Sequence, residues 1–205
     1  NSQFLGPPLQ TDESKAGSFS IKSGLPANGE VEIEVSVENS QQFTLWLRKP
    51  SWAGMFAVSI DGKSVTLDTP NQTALEPTAV GYDPRASVFI PIEREWKGKT
   101  AIHISMEMPI RILRSHPRVK PLRGKAAISR GSLVYCLESV DNPGVDLFAE
   151  PIDFFSLRYE FHPEILGGTG VISGKTAKGL PVLFIPFFLW GNRGGSEMTA
   201  WVNGK

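Results

Sequence analysis

In the octapeptide Val31-Glu32-Ile33-Glu34-Val35-Ser36-Val37-Glu38 every other residue is a β-branched aliphatic, and each residue between is polar. Side chains alternate faces along a strand, so this spacing fits a half-buried antiparallel strand. On a helix the same residues would scatter around the axis and leave no apolar stripe. Asn28-Gly29 just before it supplies a turn. The same texture recurs along the chain. Residues 43–48 read as a strand closed by Pro50, and residues 55–60 run into Asp61-Gly62 before 65–67 return. Asp-Gly between two such runs predicts a hairpin. Residues 68–86 hold Pro70, Pro77, Gly81 and Pro84 and read as a long loop. Residues 87–92 and 100–106 read as two strands around a turn at Trp96-Lys97-Gly98-Lys99.

Beyond Met108 the texture changes. Pro109, Pro117 and Pro121 punctuate a stretch carrying Arg111, Arg114, Arg118, Lys120, Arg123, Lys125 and Arg130 without one acid. A domain boundary is expected here. Strand-like runs then resume at 125–129, 133–137, 156–161, 171–177, 182–188 and 198–202. No segment keeps a helical period over ten residues. Many short strands with Gly and Pro turns predict an all-β chain of two tandem antiparallel β-sandwich domains, 15–112 and 113–205, after a linker at 1–14.

The chemistry-bearing residues are sparse. The chain of 205 residues balances 21 Lys and Arg against 21 Asp and Glu, which gives no global pull on nucleic acid. No apolar run approaches a membrane span. Its one cysteine, Cys136, lies in Leu133-Val134-Tyr135-Cys136-Leu137. Alternation sets Cys136 on a face with Val134 and points Tyr135 and Leu137 the other way, with no histidine in the strand to act as base. Cys136 therefore reads as a packed core residue. His103, His116 and His162 have no partner at metal-ligand spacing. Glu32 and Glu34 share a solvated strand face. Asp141, Asp146, Glu150, Asp153 and Glu164 lie in loop-rich sequence, where convergence of two into a catalytic pair is not legible. The basic stretch 111–130 has no interleaved aromatic for base stacking, so its arginines are expected to meet carboxylates of a neighbouring domain. Tryptophans 46, 52, 96, 190 and 201 could pack or could stack on sugar rings. The run Ile185-Pro186-Phe187-Phe188-Leu189-Trp190 is apolar on both faces and needs cover on both, the second cover being expected from another domain.

Several strings in order resemble the C-terminal part of glycoside hydrolase family 127, the β-L-arabinofuranosidase-like enzymes. They are Leu45-Trp46-Leu47-Arg48-Lys49-Pro50-Ser51-Trp52-Ala53, Gly81-Tyr82, Ile92-Glu93-Arg94-Glu95-Trp96-Lys97-Gly98, Met108-Pro109-Ile110-Arg111, Arg123 to Glu138, and Ile185 to Gly194. The resemblance implies an (α/α)6 catalytic barrel followed by two β-sandwiches. It implies a cysteine nucleophile, a glutamate acid/base and a cysteine-bound zinc, all belonging to the barrel. None of those motifs falls on this chain, so no catalytic residue, no cofactor and no metal ligand is expected in it. The expected role is that of an accessory region, inactive alone, which braces the upstream barrel and shapes an active-site rim or a homodimer contact. Trp52, Trp190 and Arg193 are the candidate sugar or barrel contacts. The alternative is a carbohydrate-binding module using exposed tryptophans. Neither nucleic acid nor membrane is expected as a partner.

Overall fold

The computed structural model describes residues 17–67 and 88–204. The expected linker at 1–14 and the loop at 68–86 lie outside the described residues. The chain divides between Met108 and Pro109 into two compact units. Each unit is an antiparallel β-sandwich. The division precedes the expected 112/113 boundary because residues 110–114 already pair in the second sheet.

The first unit contains β1 (Gly17–Ser23), β2 (Glu30–Lys49), β3 (Phe56–Ile60), β4 (Lys63–Ser64) and β5 (Val88–Met106), in the order β1-β2-β5-β3-β4. The pairs of strands expected at 31–38 and 43–48, and at 87–92 and 100–106, are each one long strand. The turn expected at 96–99 lies within β5. The pairing instead carries an irregularity there: Val37 faces Gly98 and Gln41 faces Trp96, so four steps along β2 match two along β5. Gly98 takes the positive φ of 62° that this geometry requires. An even number of extra residues preserves parity, so Val31, Val35, Val37 and Leu47 all face the core. A straight strand of this length would run about 65 Å. One contiguous core joins Val31 and Val35 to Leu47, Ile90 and Ile92, which requires the β2–β5 ribbon to fold over on itself. Trp96 lies beside the irregularity, sealed from solvent. It stacks on Phe43 with centroids 5.1 Å apart, and its indole N–H donates to the Phe43 carbonyl at 2.9 Å. The hairpin read from Asp61-Gly62 is present, with φ of 47° and 75°.

The second unit contains β6 (Ile110–Arg114), β7 (Lys125–Arg130), β8 (Leu133–Glu138), β9 (Ile152–His162), β10 (Thr169–Thr176), β11 (Pro181–Pro186), β12 (Met198–Thr199) and β13 (Val202–Asn203). Their order is β13-β7-β8-β11-β10-β9, with β6 on β7 and β12 on β8. Alternation along β8 and β11 divides their side chains between two clusters. Tyr135, Leu137 and Phe184 join Ile128, Ile152, Leu157 and Ile172 inside the sandwich. Cys136 and Ile185 join Val171 on the other face. The second face is covered by the unit's own segment: Leu189, Met198 and Ala200 pack on it. That corrects the expectation that another domain supplies the cover for this part of the run.

Candidate functional site

Strand β8 is apolar until its last residue, Glu138, which is 1% exposed. A buried carboxylate is costly unless it is paired and hydrogen-bonded. Glu138 is both. Its Oε1 accepts from the Gly191 backbone N–H at 2.8 Å and the Ser196 hydroxyl at 2.9 Å. Its Oε2 accepts from Arg193 Nη2 at 2.6 Å. The same guanidinium donates through Nη1 and Nη2 to both oxygens of Asp141, each at 2.5 Å. Burial pushes the Glu138 carboxyl up, but these donors and the Arg193 charge outweigh it and hold the group below its ordinary range. Glycines 191, 194 and 195 let the chain turn tightly enough for one loop to present a backbone N–H and a guanidinium to one carboxylate, with positive φ at Gly191 and Gly194.

Asn142 completes the arrangement. It is buried where β8 has ended but β11 still needs a partner. Its Nδ2 donates to the carbonyls of Glu138 at 2.8 Å and Leu183 at 3.0 Å, and its Oδ1 accepts from the Leu183 N–H at 2.8 Å. The side chain thus continues the ladder by one rung. The 187–200 segment is fixed at both ends of its span over β8. The second attachment is the pairing of Met198 with Glu138 and Thr199 with Leu137.

What this frame presents outward is aromatic. A short 3-10 turn at Phe187–Leu189 follows β11 and tucks Leu189 inward. Phe187, Phe188 and Trp190 are left exposed, Phe188 at 61% and Trp190 at 44%. Of the three sequence candidates, Trp190 is on this lip. Arg193 lies beneath it, with both terminal nitrogens engaged in ion pairs. Trp52 is in the other unit, half-buried against that unit's core. Trp46, on the outer face of β2, is 58% exposed. Sequence reading did not single out Glu138. The available signal was an acid closing an otherwise apolar strand, which demands a cation from elsewhere in the chain.

The remaining candidates are occupied individually. Cys136 is fully buried, and desolvation together with the charges of Glu138 and Asp141 pushes its thiol up to about 12. It is a filler and not a thiolate, as alternation indicated. His103 pairs with Glu30 at 2.8 Å on a solvated face. His116 Nδ1 accepts the Arg118 N–H. His162 lies between Glu164, 2.6 Å from Nδ1, and Glu160, 3.4 Å from Nε2, contacts that raise its pKa. Glu150 pairs with Lys178, and Asp146 and Asp153 accept nearby backbone N–H groups. The described residues hold no group of three or more His, Cys, Asp and Glu placed to take a metal. A cysteine-bound zinc does not fit on them.

Two family models match the chain. "Beta-L-arabinofuranosidase, GH127 middle domain" matches residues 3–108. "Glycoside hydrolase family 127 C-terminal domain" matches residues 110–203. They meet where the two units divide. The non-reducing end β-L-arabinofuranosidase of Bifidobacterium longum subsp. longum is 27% identical over 86% of this chain and 29% of its own length. The crystal structure of a GH127 β-L-arabinofuranosidase from Geobacillus stearothermophilus T6 superposes with a TM-score of 0.76 at 29% identity, over 94% of this chain and 31% of that one. A further GH127 β-arabinofuranosidase structure shares the fold, with a TM-score of 0.75 at 22% identity, over 94% of this chain and 32% of that one. The chain therefore spans under a third of the length of these relatives, and its two sandwiches correspond in order to the family's middle and C-terminal domains. This chain belongs to glycoside hydrolase family 127.

Proposed function

We propose that the chain is the non-catalytic accessory region of an arabinofuranosidase-like glycoside hydrolase, and that it braces an (α/α)6 catalytic barrel supplied by the rest of the protein. Zinc and the nucleophile belong to that barrel. The observation that carries this reading is the pairing of two domain matches, middle and C-terminal, with a single thiol that is sealed and held protonated. In the most tightly built polar group, Glu138 and Asp141 share the one guanidinium of Arg193, so each of the three is committed to an ion pair. Phe188 and Trp190 are the side chains offered to the barrel rim or to a homodimer contact, since large exposed aromatics on a pinned loop suit an interface anchor.

The test is an assay of this chain alone on 4-nitrophenyl β-L-arabinofuranoside. No turnover is expected. Turnover that survived Cys136→Ala would overturn the reading. Sedimentation velocity of the wild type against Phe188→Ser/Trp190→Ser tests the dimer contact, which predicts a dimer lost in the variant. Trp46 favours the second reading, a carbohydrate-binding module, because its ring stands open on a sheet face. Tryptophan fluorescence on titration with arabino-oligosaccharides separates the two. A saturating change at millimolar sugar, abolished by Trp46→Ala, supports the module, and a flat trace rejects it.

A further inference from the structure

The two layers of the first sandwich are unequal. After the fold-over, residues 31–37 of β2 and 98–106 of β5 lie in one layer, and 41–47 and 90–96 lie in the other. The flanking strands join the first layer only: β1 pairs with 31–37, and β3 pairs with 102–106. Among the described residues, 41–47 pair with β5 along one edge and with no strand along the other. In an antiparallel pair, every other residue turns its N–H and carbonyl away from its partner. The second edge of 41–47 therefore presents a row of backbone groups ready for another strand.

The shortfall shows in burial, and on one flank only. Phe19 and Ile21 pair with Val35 and Ile33, so parity puts them on the core face of the sheet. They are nonetheless 42% and 48% exposed. On the opposite flank the core-facing Val58 and Ile60 of β3 are buried. Phe43 meets Phe19 edge-on with ring centroids 6.3 Å apart, which places the open edge of β2 above β1. Between them lies a groove of about 440 Å³, lined by Phe19, Val35, Val37 and Phe43 among uncharged neighbours.

We propose that this groove receives an extended segment from the remaining part of the same polypeptide, which pairs with the open edge of β2 at 41–47 and lays alternate apolar side chains on Phe19, Ile21 and Phe43. Strand addition supplies both things the site lacks, backbone partners and an apolar cover. A second copy does not fit. A two-fold that paired two such edges would drive both β1 strands into the same space, because β1 lies beneath and beyond each edge. A small polar ligand would leave the backbone row unpaired. The residues that precede β1, Gln10 to Lys15, are polar throughout and offer no alternate apolar side chains. The remaining polypeptide is at hand, since the chain spans under a third of the length of its relatives, and a tethered segment arrives at high effective concentration. The inference rests on the bracing role and gives it a form: one strand of the brace comes from the part that is braced.

The test is amide hydrogen exchange, read by mass spectrometry on the full-length protein and on this chain. In this chain alone the outward amides of 41–47 are expected to exchange fast, while 31–37, paired on both sides, exchange slowly. In the full-length protein the outward amides of 41–47 are expected to slow by at least about tenfold. Phe19→Asp/Ile21→Asp in the full-length protein, at two positions already half open to water, is expected to restore the fast exchange while 31–37 stay slow. The proposal is overturned if 41–47 exchange equally fast in both proteins, if they are already slow in this chain alone, or if the double variant leaves the protection in place. Where 41–47 stay fast while other segments of this chain slow in the full-length protein, the added strand is rejected and the bracing role stands. Where no segment slows, both fall.

Discussion

Trp96 in the first sandwich and Glu138 in the second are equally hidden from water, at 0% and 1% exposure, yet they hold their units together by opposite means. Trp96 closes a fold in one long ribbon with a large apolar surface, and its single polar atom is satisfied by the Phe43 carbonyl. The ion pairs Lys99–Glu34 and His103–Glu30 of the first unit are on its solvated face. The second unit buries a charge at the end of β8 and compensates it with Arg193, Ser196 and the Gly191 N–H. The reason lies in topology. In the first unit two long strands carry both layers, so burying one continuous core also fixes the chain path. In the second, the 187–200 segment must be fastened to β8 by contacts that repeat nowhere else in the sheet. Burial area alone cannot specify where a short loop sits. A directional ion pair and a backbone bond can.

The comparison breaks most visibly at Trp96. Trp96→Ala removes a fully buried indole and leaves a cavity, so a loss of about 4 kcal/mol is expected in urea unfolding. Glu138→Ala should cost about 3 kcal/mol, because Arg193 keeps only Asp141 and the Gly191 N–H and Ser196 hydroxyl lose their acceptor. If Glu138→Ala costs less than 1 kcal/mol, the network is ornamental and the contrast between the units fails. Asn142→Ala should follow at about 2 kcal/mol, since the Leu183 N–H and carbonyl both lose their partner.

Acid sharpens the contrast further. Glu138 is held below its ordinary value of 4.5 in the folded state. The folded carboxyl therefore binds its proton less readily than the unfolded one. Its contribution is complete above the ordinary carboxylate range and is lost as pH falls through the folded value. Stability measured at pH values descending from neutral should fall, and Glu138→Gln should flatten part of that slope. The smallest effect belongs to the first unit's surface. Lys99→Ala should change stability by no more than about 0.5 kcal/mol, because its pair with Glu34 is open to water and salt. A larger loss would mean that surface charge fastens the first unit as well.

Strand identity was legible where apolar and polar residues alternate, as in 31–38, and where a short apolar run follows turn residues, as in 133–137. So was the face of Cys136, because parity along a strand is local. Two strands were missed. Strand β1 is exposed along its whole length and carries little burial signal. Strand β6 lies in a stretch whose prolines and arginines read as a connector. The merging of four expected strands into β2 and β5 was also hidden, since an even insertion leaves the alternation unbroken on both sides of it. Exposure of the three candidate contacts was not legible in the sequence: Trp190 is exposed, Trp52 is half-buried, and Arg193 is committed to Glu138 and Asp141.

The family, the all-β class and the two-sandwich division were written in the sequence, because period-two alternation, turn residues and ordered motifs are properties of neighbouring positions. The tertiary structure alone decided that Arg193 meets Glu138, 55 positions away, and that Asn142 serves Leu183, 41 positions away. No local pattern encodes such a pairing. A buried charge states only that it needs a partner of opposite sign, and the path of the chain through space determines which one reaches it.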